Sequence, residues 1–249
     1  MNVLLILCHP ERQSFNGGLI DVALSALQSR GHSVELDDLY GEGFDPVEHA
    51  ELYVDPVNPD YFAPLTEQRA LYDRKGLPPD IVREIKRLDW ADLTIFQFPL
   101  WWHAQPAMLK GWLDRVFVYG GIYSGTQRYD RGYFRGKRAM LSVTTGSPQA
   151  AFMPFGRGGD MTRLLAPMHA SLNYVGYSVL APQVSYGVQG GGISYQGREA
   201  FERHLGCLKD DWASRLMSIE DESAIPFAGW NDWDDSGVLH HNHPARWQI

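Results

Sequence analysis

Phe96-Gln-Phe-Pro-Leu-Trp-Trp-His-Ala-Gln-Pro-Ala-Met-Leu-Lys-Gly-Trp-Leu-Asp-Arg-Val-Phe117 joins an apolar run, 93–98, to an aromatic turn and then to a helix that opens at Pro106. An apolar run with no alternation reads as a strand buried on both faces, the signature of a parallel sheet covered by helices. Open sheets of this kind place ligands at the carboxyl ends of their strands. A turn carrying Trp101, Trp102 and His103 there suits a flat, conjugated ligand: rings stack on it while backbone N–H groups reach its polar edge. Packing of the two tryptophans under a neighbouring helix is the plainer alternative. Adjacent aromatics in one turn cannot all face one core, however, so at least one is expected at the surface or in a pocket.

Outward from this junction, strand and helix alternate. An apolar strand at 3–8 precedes a helix over 16–29 that Gly31 ends as a left-handed cap. A second strand spans 33–36, and a long Pro-, Asp- and Tyr-rich excursion fills 46–76. The spacing of Ile81, Ile85 and Leu88 predicts a helix over 78–88, and another follows strand three over 106–118. Strand four spans 138–144, a helix 160–175, a short fifth strand 178–182, and a last long helix 196–217. This is an α/β, doubly wound, five-stranded parallel sheet with helices on both faces and expected strand order 2-1-3-4-5. One domain over 1–218 is expected, with 219–249 an extension lying on its surface or on a partner subunit.

Composition bounds the function. The 249 residues are 44% hydrophobic, enough for one large core. Cys8 and Cys207 are too few for a disulfide framework or a cysteine zinc site, which fits a reducing compartment. No apolar run approaches the roughly 18–20 residues of a membrane span, and the start lacks the basic and long apolar regions of a signal peptide. The formal charge of −8 disfavours nucleic acid and anionic membrane as partners. A cytoplasmic protein without stable membrane insertion is expected. His240, His241 and His243 stand near Asp232, Asp234 and Asp235, but such a surface cluster is ordinarily solvated, and no metal is expected.

Three strand-end loops carry the candidate chemistry. After strand one, His9-Pro-Glu-Arg-Gln-Ser14-Phe15-Asn16-Gly-Gly18 offers a helix cap and glycines that let N–H groups approach an anion, or simply an ordinary cap. No Gly-x-Gly-x-x-Gly fingerprint or Walker lysine accompanies it. The turn 99–106 is the second loop. The third, Thr144-Thr145-Gly146-Ser147, supplies compact hydroxyl and N–H donors. Met108, Leu109, Trp112, Leu113 and Val116 form one helical stripe and read as core or dimer interface.

These motifs, with Gly-Asp-Met at 159–161 and Leu-Pro-Pro-Asp-Ile at 77–81, give the chain a resemblance over about 3–215 to the NAD(P)H:quinone oxidoreductases of flavodoxin-like fold, the DT-diaphorases. The resemblance implies an FAD-containing homodimer (FMN remains an alternative) in which NAD(P)H reduces the flavin, leaves, and is replaced by a quinone or similar small acceptor. It implies that His9, Ser14, Phe15, Asn16 and Gly18 hold the diphosphate and adenosine side of the cofactor. Pro99, Leu100, Trp101, Trp102 and His103 would border the isoalloxazine; Thr144, Thr145, Gly146 and Ser147 would donate to its pyrimidine edge; and Arg198 would approach its outer end.

Departures from the family pattern accompany the likeness. A tyrosine and a histidine that stabilise flavin charge in the family fall on or near Phe152 and Gly158. Of two tyrosines reaching across the dimer, Tyr123 remains and the other is Gly125. The resemblance leaves His103 and Arg157 as candidate stand-ins beside Phe152 and Tyr123 in the catalytic region. A second class of function therefore stays open: an ancillary or regulatory subunit of a membrane transport system whose redox activity is secondary. A one-electron flavodoxin and a phosphoacceptor receiver fit less well, the latter because Cys8-His9-Pro10 lacks an Asp cluster.

Overall fold

Two strands without a polar face organise the molecule, seen in a computed structural model describing residues 1–189 and 197–240. β1 (Asn2–Leu7) and β3 (Leu93–Pro99) are buried along nearly their whole length. Leu4, Ile6, Phe96 and Phe98 pack on one side of the sheet, and Val3, Leu5, Leu93 and Ile95 on the other. Strands of this composition are stable only with helices over both faces. α1 (Phe15–Ser29) and α6 (Arg198–Leu216) cover one face, burying Leu19, Leu27, Trp212 and Leu216. α3 (Pro79–Trp90), α4 (Ala107–Val116) and α5 (Met161–Tyr174) cover the other.

β2 (Ser33–Asp38) and β4 (Arg138–Thr144) flank the central pair, and the parallel order is β2-β1-β3-β4-β5, as expected. The fifth strand differs from the single run 178–182. It is split into β5 (Ser178–Val179), beside Arg138 and Ala139, and β6 (Gln183–Ser185), beside Ser142 to Thr144. Pro182 has no N–H for the ladder, and the Ala181 carbonyl accepts from Arg215 at 2.7 Å instead. The interruption carries β6 to the carboxyl edge of the sheet, where Ser185 lies opposite Thr144.

Gly31, at φ +79°, ends α1 in the left-handed conformation expected of it. The excursion 46–76 contains α2 (Pro64–Asp73), whose buried Gln68 donates to the Asp114 carbonyl at 3.1 Å and accepts from the Tyr119 N–H at 3.0 Å. Gln196, expected at the start of α6, lies outside the described residues. In the extension, Ile225 N–H bonds the Val179 carbonyl at 2.7 Å and Ala224 bridges Leu180, so this segment covers the β5 edge. Trp233 packs on Tyr129 with ring centroids 4.5 Å apart. His241 and His243 lie outside the described residues. Among the described residues, no helix is long and apolar enough to cross a membrane.

One buried ionic network ties β2 to the helices. Glu84 is fully buried; its Oε2 accepts from Trp112 Nε1 at 3.1 Å and its Oε1 from Arg83 and Arg87 at 3.1 and 3.3 Å. Arg87 also bonds Asp37, 1% exposed, at 3.0 Å. Burial first, and the neighbouring Glu84 carboxylate next, push the Asp37 carboxyl well above its ordinary range.

Candidate functional site

The carboxyl ends of β1, β3 and β4 come together because the parallel register staggers little: Leu7 lies opposite Gln97, and Pro99 opposite Thr144. Ladder bonding continues past the strand ends. Cys8 N–H bonds the Gln97 carbonyl, Leu100 N–H the Thr144 carbonyl, and Thr145 N–H the Ser185 carbonyl, each at 2.9 Å. Beneath them, the buried Asn16 Oδ1 accepts from Gln97 Nε2 at 2.9 Å and from Thr144 Oγ1 at 3.2 Å. That hub fixes the three loops to one another.

The first loop is held by its cap. Ser14 Oγ accepts from Gly17 N–H at 3.3 Å, and Arg12 Nη1 donates to the Gly17 carbonyl at 2.9 Å. Gly17 is where the fold admits no side chain: a Cβ would lie 1.8 Å from the Arg12 carbonyl oxygen. At Gly18 the nearest atom would be the flexible Lys209 Nζ, at 3.2 Å. Lys209 also sits 5.8 Å over the Phe15 ring. α6 thus brings Lys209 to the start of α1, whereas the side chain of Arg198 is 92% exposed and pairs with Glu202 in its own helix. No hydrogen bond or ion pair joins Arg198 to the strand-end loops among the described residues.

The second loop is a tight reversal. Trp101 and Ala104 exchange N–H···O bonds at 3.0 and 3.1 Å, and Trp102 and His103 both take positive φ, 50° and 63°. This is the backbone of a two-residue primed turn, for which Asn-Gly is the favoured sequence. Two bulky residues in left-handed geometry cost about 1–2 kcal/mol each. Trp102 is nonetheless 96% exposed, so no burial within this chain offsets that cost. Strain at an exposed aromatic turn marks a place where the side chains serve a ligand or a partner. Trp101 stands 6.0 Å from His9, so the first two loops meet here.

In the third loop the hydroxyls turn inward: Thr144 bonds Asn16, and Thr145 Oγ1 donates to the Ser147 carbonyl at 2.8 Å. The N–H groups of Gly146 and Ser147 have no hydrogen-bond partner among the described residues. The free donors of this loop are therefore these two backbone groups, while the threonines serve as struts. Beyond it, Phe152 is half-buried, Arg157 exposed and Phe155 fully exposed at φ 67°.

Tyr123 lies away from this edge. It lines a cleft of about 830 Å³ with Gln105, Leu113, Phe117 and Tyr174, between α2, α4 and α5. Burial, then the neighbouring Tyr174 and Tyr119 phenols, raise its pKa above the ordinary tyrosine value, so it stays a neutral hydroxyl. Gln97, Lys209 and Tyr186 were not singled out from the sequence, and Gly17 was read there only together with Gly18. Gln97 left a trace as a polar residue inside an apolar strand; Lys209 and Tyr186 depend on contacts between distant segments.

The fold and the aromatic edge define a class, the flavodoxin-like proteins, and a family profile described as flavodoxin-like fold matches residues 1–206. The chain is 38% identical over 225 residues to a ribosyldihydronicotinamide dehydrogenase [quinone] of Mus musculus, covering 90% of this chain and 94% of that protein. It is 38% identical over 227 residues to an NAD(P)H dehydrogenase [quinone] 1 of Cavia porcellus, covering 90% and 79%. A putative quinone reductase from Klebsiella pneumoniae superposes with a TM-score of 0.85 at 34% identity, covering 98% of this chain and 96% of that one. The chain belongs to the NAD(P)H:quinone oxidoreductase family of flavodoxin-like fold.

Proposed function

We propose that this protein is a flavin-dependent oxidoreductase that takes hydride from a reduced nicotinamide and passes two electrons to a quinone or similar small acceptor. The observation that carries this is the strained, exposed Trp101–Ala104 turn beside the N–H groups of Gly146 and Ser147, which have no partner among the described residues. The residues present fit a flavin. A ring plane can lie on the turn, the two N–H groups can meet its polar edge, and the α1 N-terminus with Lys209 can take its phosphate side. The bound flavin supplies reversible two-electron chemistry. The chain's own residues position and polarise: the Asn16–Gln97–Thr144 hub holds the loops in register, and the backbone donors stabilise charge that develops on reduction. FAD is favoured on the family likeness alone, since a phosphate at the helix terminus and Lys209 is common to FAD and FMN.

A ping-pong order, the oxidised donor leaving before the acceptor enters, is part of this reading and rests on the likeness to the quinone oxidoreductases. The relatives' names raise a donor choice, NAD(P)H or dihydronicotinamide riboside, that the strand-end loops alone do not make. A homodimer is part of this reading, the second copy covering the Tyr123 cleft, as is a reducing cytoplasm in which Cys8 and Cys207 stay free.

Anaerobic mixing of the flavin-loaded protein with NADPH, NADH and dihydronicotinamide riboside in turn, followed by a benzoquinone, tests the proposal. Rapid bleaching by at least one donor, with two-electron recovery on quinone, is expected. Flavin that binds but is bleached by none of the three would sink hydride transfer and favour the ancillary-subunit alternative. A second expectation concerns the turn. Replacing Trp102-His103 by Asn-Gly should stabilise the apoprotein by about 2 kcal/mol while weakening flavin binding about tenfold, roughly 1.4 kcal/mol. Thermal melts and flavin fluorescence titrations read both; a variant that melts no higher than the parent removes the strain account.

A further inference from the structure

The segment 148–158, which leaves the donor loop, is poor in side-chain hydrogen-bonding groups where it is packed: Pro148, Ala151, Phe152, Gly156 and Gly158 are its inner positions. A Cβ on Gly158 would lie 2.9 Å from the Phe152 ring. The ring therefore occupies the space a side chain at 158 would need, and the two positions are coupled. On its other side Phe152 meets Tyr186, with centroids 5.9 Å apart.

Tyr186 follows β6 directly and is bound to the donor loop from both sides. Before it, the Ser185 carbonyl accepts from Thr145 N–H at 2.9 Å; after it, Gly187 N–H bonds the Ser147 carbonyl at 2.9 Å and Val188 N–H the Thr145 carbonyl at 3.0 Å. Its own carbonyl accepts from His204 Nε2 of α6 at 2.8 Å. The backbone is thus immobilised beside the two free N–H groups. The phenol is half-buried, and its hydroxyl has no hydrogen-bond partner among the described residues. Burial first, and the charge of Asp160 at the α5 cap second, keep the phenol above its ordinary pKa, so it remains an O–H donor at neutral pH.

We propose that the Tyr186 hydroxyl is the side-chain donor that stabilises negative charge developing in the site during hydride transfer, supplied from the end of β6 and not from the 148–158 segment. The inference deepens the flavin oxidoreductase reading and rests on it. The nicotinamide gives up a hydride, two electrons with one proton, and becomes the pyridinium; Tyr186 contributes a hydrogen bond and no proton, so the balance of the step is unchanged. Arg157, exposed and without an ion pair among the described residues, is the competing donor.

The test is Tyr186→Phe, with Arg157→Ala in parallel, using full-length protein loaded with FAD. Tyr186→Phe should slow flavin reduction about 10²-fold with unchanged flavin affinity and melting temperature, a larger loss of rate than Arg157→Ala causes. In tyrosine-ζ-¹³C-labelled apoprotein, the resonance missing from Tyr186→Phe should shift when FAD is added. An unaltered rate in Tyr186→Phe overturns the inference. So does a rate loss accompanied by lost flavin affinity, which would mean a structural role, or a Tyr186 resonance that ignores FAD. Failure of the underlying reading looks different: the unsubstituted protein would bind flavin and be bleached by no dihydronicotinamide.

Discussion

Gly17→Ala is expected to destabilise the protein by about 3 kcal/mol and to reduce flavin affinity at least about 10²-fold, some 2.7 kcal/mol. The added methyl would sit 1.8 Å from the Arg12 carbonyl oxygen, a backbone atom that cannot move without carrying the loop. Relief requires the 9–14 segment to lift from the start of α1. That breaks the Ser14–Gly17 cap and the Arg12–Gly17 bond, and withdraws the N–H groups proposed to meet the cofactor's phosphates. In a domain of this size the stability loss appears as roughly 6–12 °C in melting temperature. Gly18→Ala is the control, because its nearest neighbour is the mobile end of Lys209. Equal flavin affinity in the two variants would remove this loop from the proposed cofactor site.

Glu84→Ala should cost about 3–5 kcal/mol, more than Glu84→Gln, expected to cost about 1–3 kcal/mol. Alanine leaves the buried Trp112 Nε1–H without its acceptor and strips Arg83 and Arg87 of a fully buried partner. Glutamine keeps an acceptor for Trp112, while its amide NH2, a donor, replaces the oxygen that accepted from Arg83 and Arg87. The pair also predicts a pH effect. The Asp37 carboxyl is raised in the folded state, so above about pH 4 the folded protein holds a proton that the unfolded chain has released. Its stabilising contribution is therefore present at low pH and declines as pH rises toward the folded-state value. Removing the Glu84 charge lowers the Asp37 pKa and flattens that decline. Urea denaturation of the parent and of Glu84→Gln between pH 5 and pH 8 checks it; parallel curves for the two proteins would mean that Asp37 and Glu84 do not share a proton.

Local pattern carried most of the architecture. Apolar runs in β1 and β3 require cover on both faces, so they announce a doubly wound sheet without knowledge of any contact. Gly31 marked the end of α1 because only a left-handed residue closes that helix well. The exposure of the aromatic turn was legible because Trp101, Trp102 and His103 follow a buried strand, and adjacent aromatics in one turn cannot all face one core.

Where legibility stopped, the missing information was long-range. The sequence could not show that the Thr144 hydroxyl turns inward, because its partner, Asn16, is chosen by how β1, β3 and β4 align. Nor could it distinguish Gly17 from Gly18, since the difference is the proximity of a carbonyl five residues back. Arg198 and Lys209 are both cations of one helix, and which of them reaches α1 depends on the rotation of α6 against its neighbour. The break at Pro182 could be anticipated from its missing N–H. The resumption as β6, which delivers Tyr186 to Phe152, could not.

The sequence by itself thus determined the sheet, its helical cover and the edge at which the three candidate loops meet, because those follow from residue periodicity and backbone chemistry within a few positions. Only the tertiary structure decided which donors remain free at that edge. A hydrogen-bonding group is available to a ligand only if no distant segment has already claimed it, and that is a property of the packed chain.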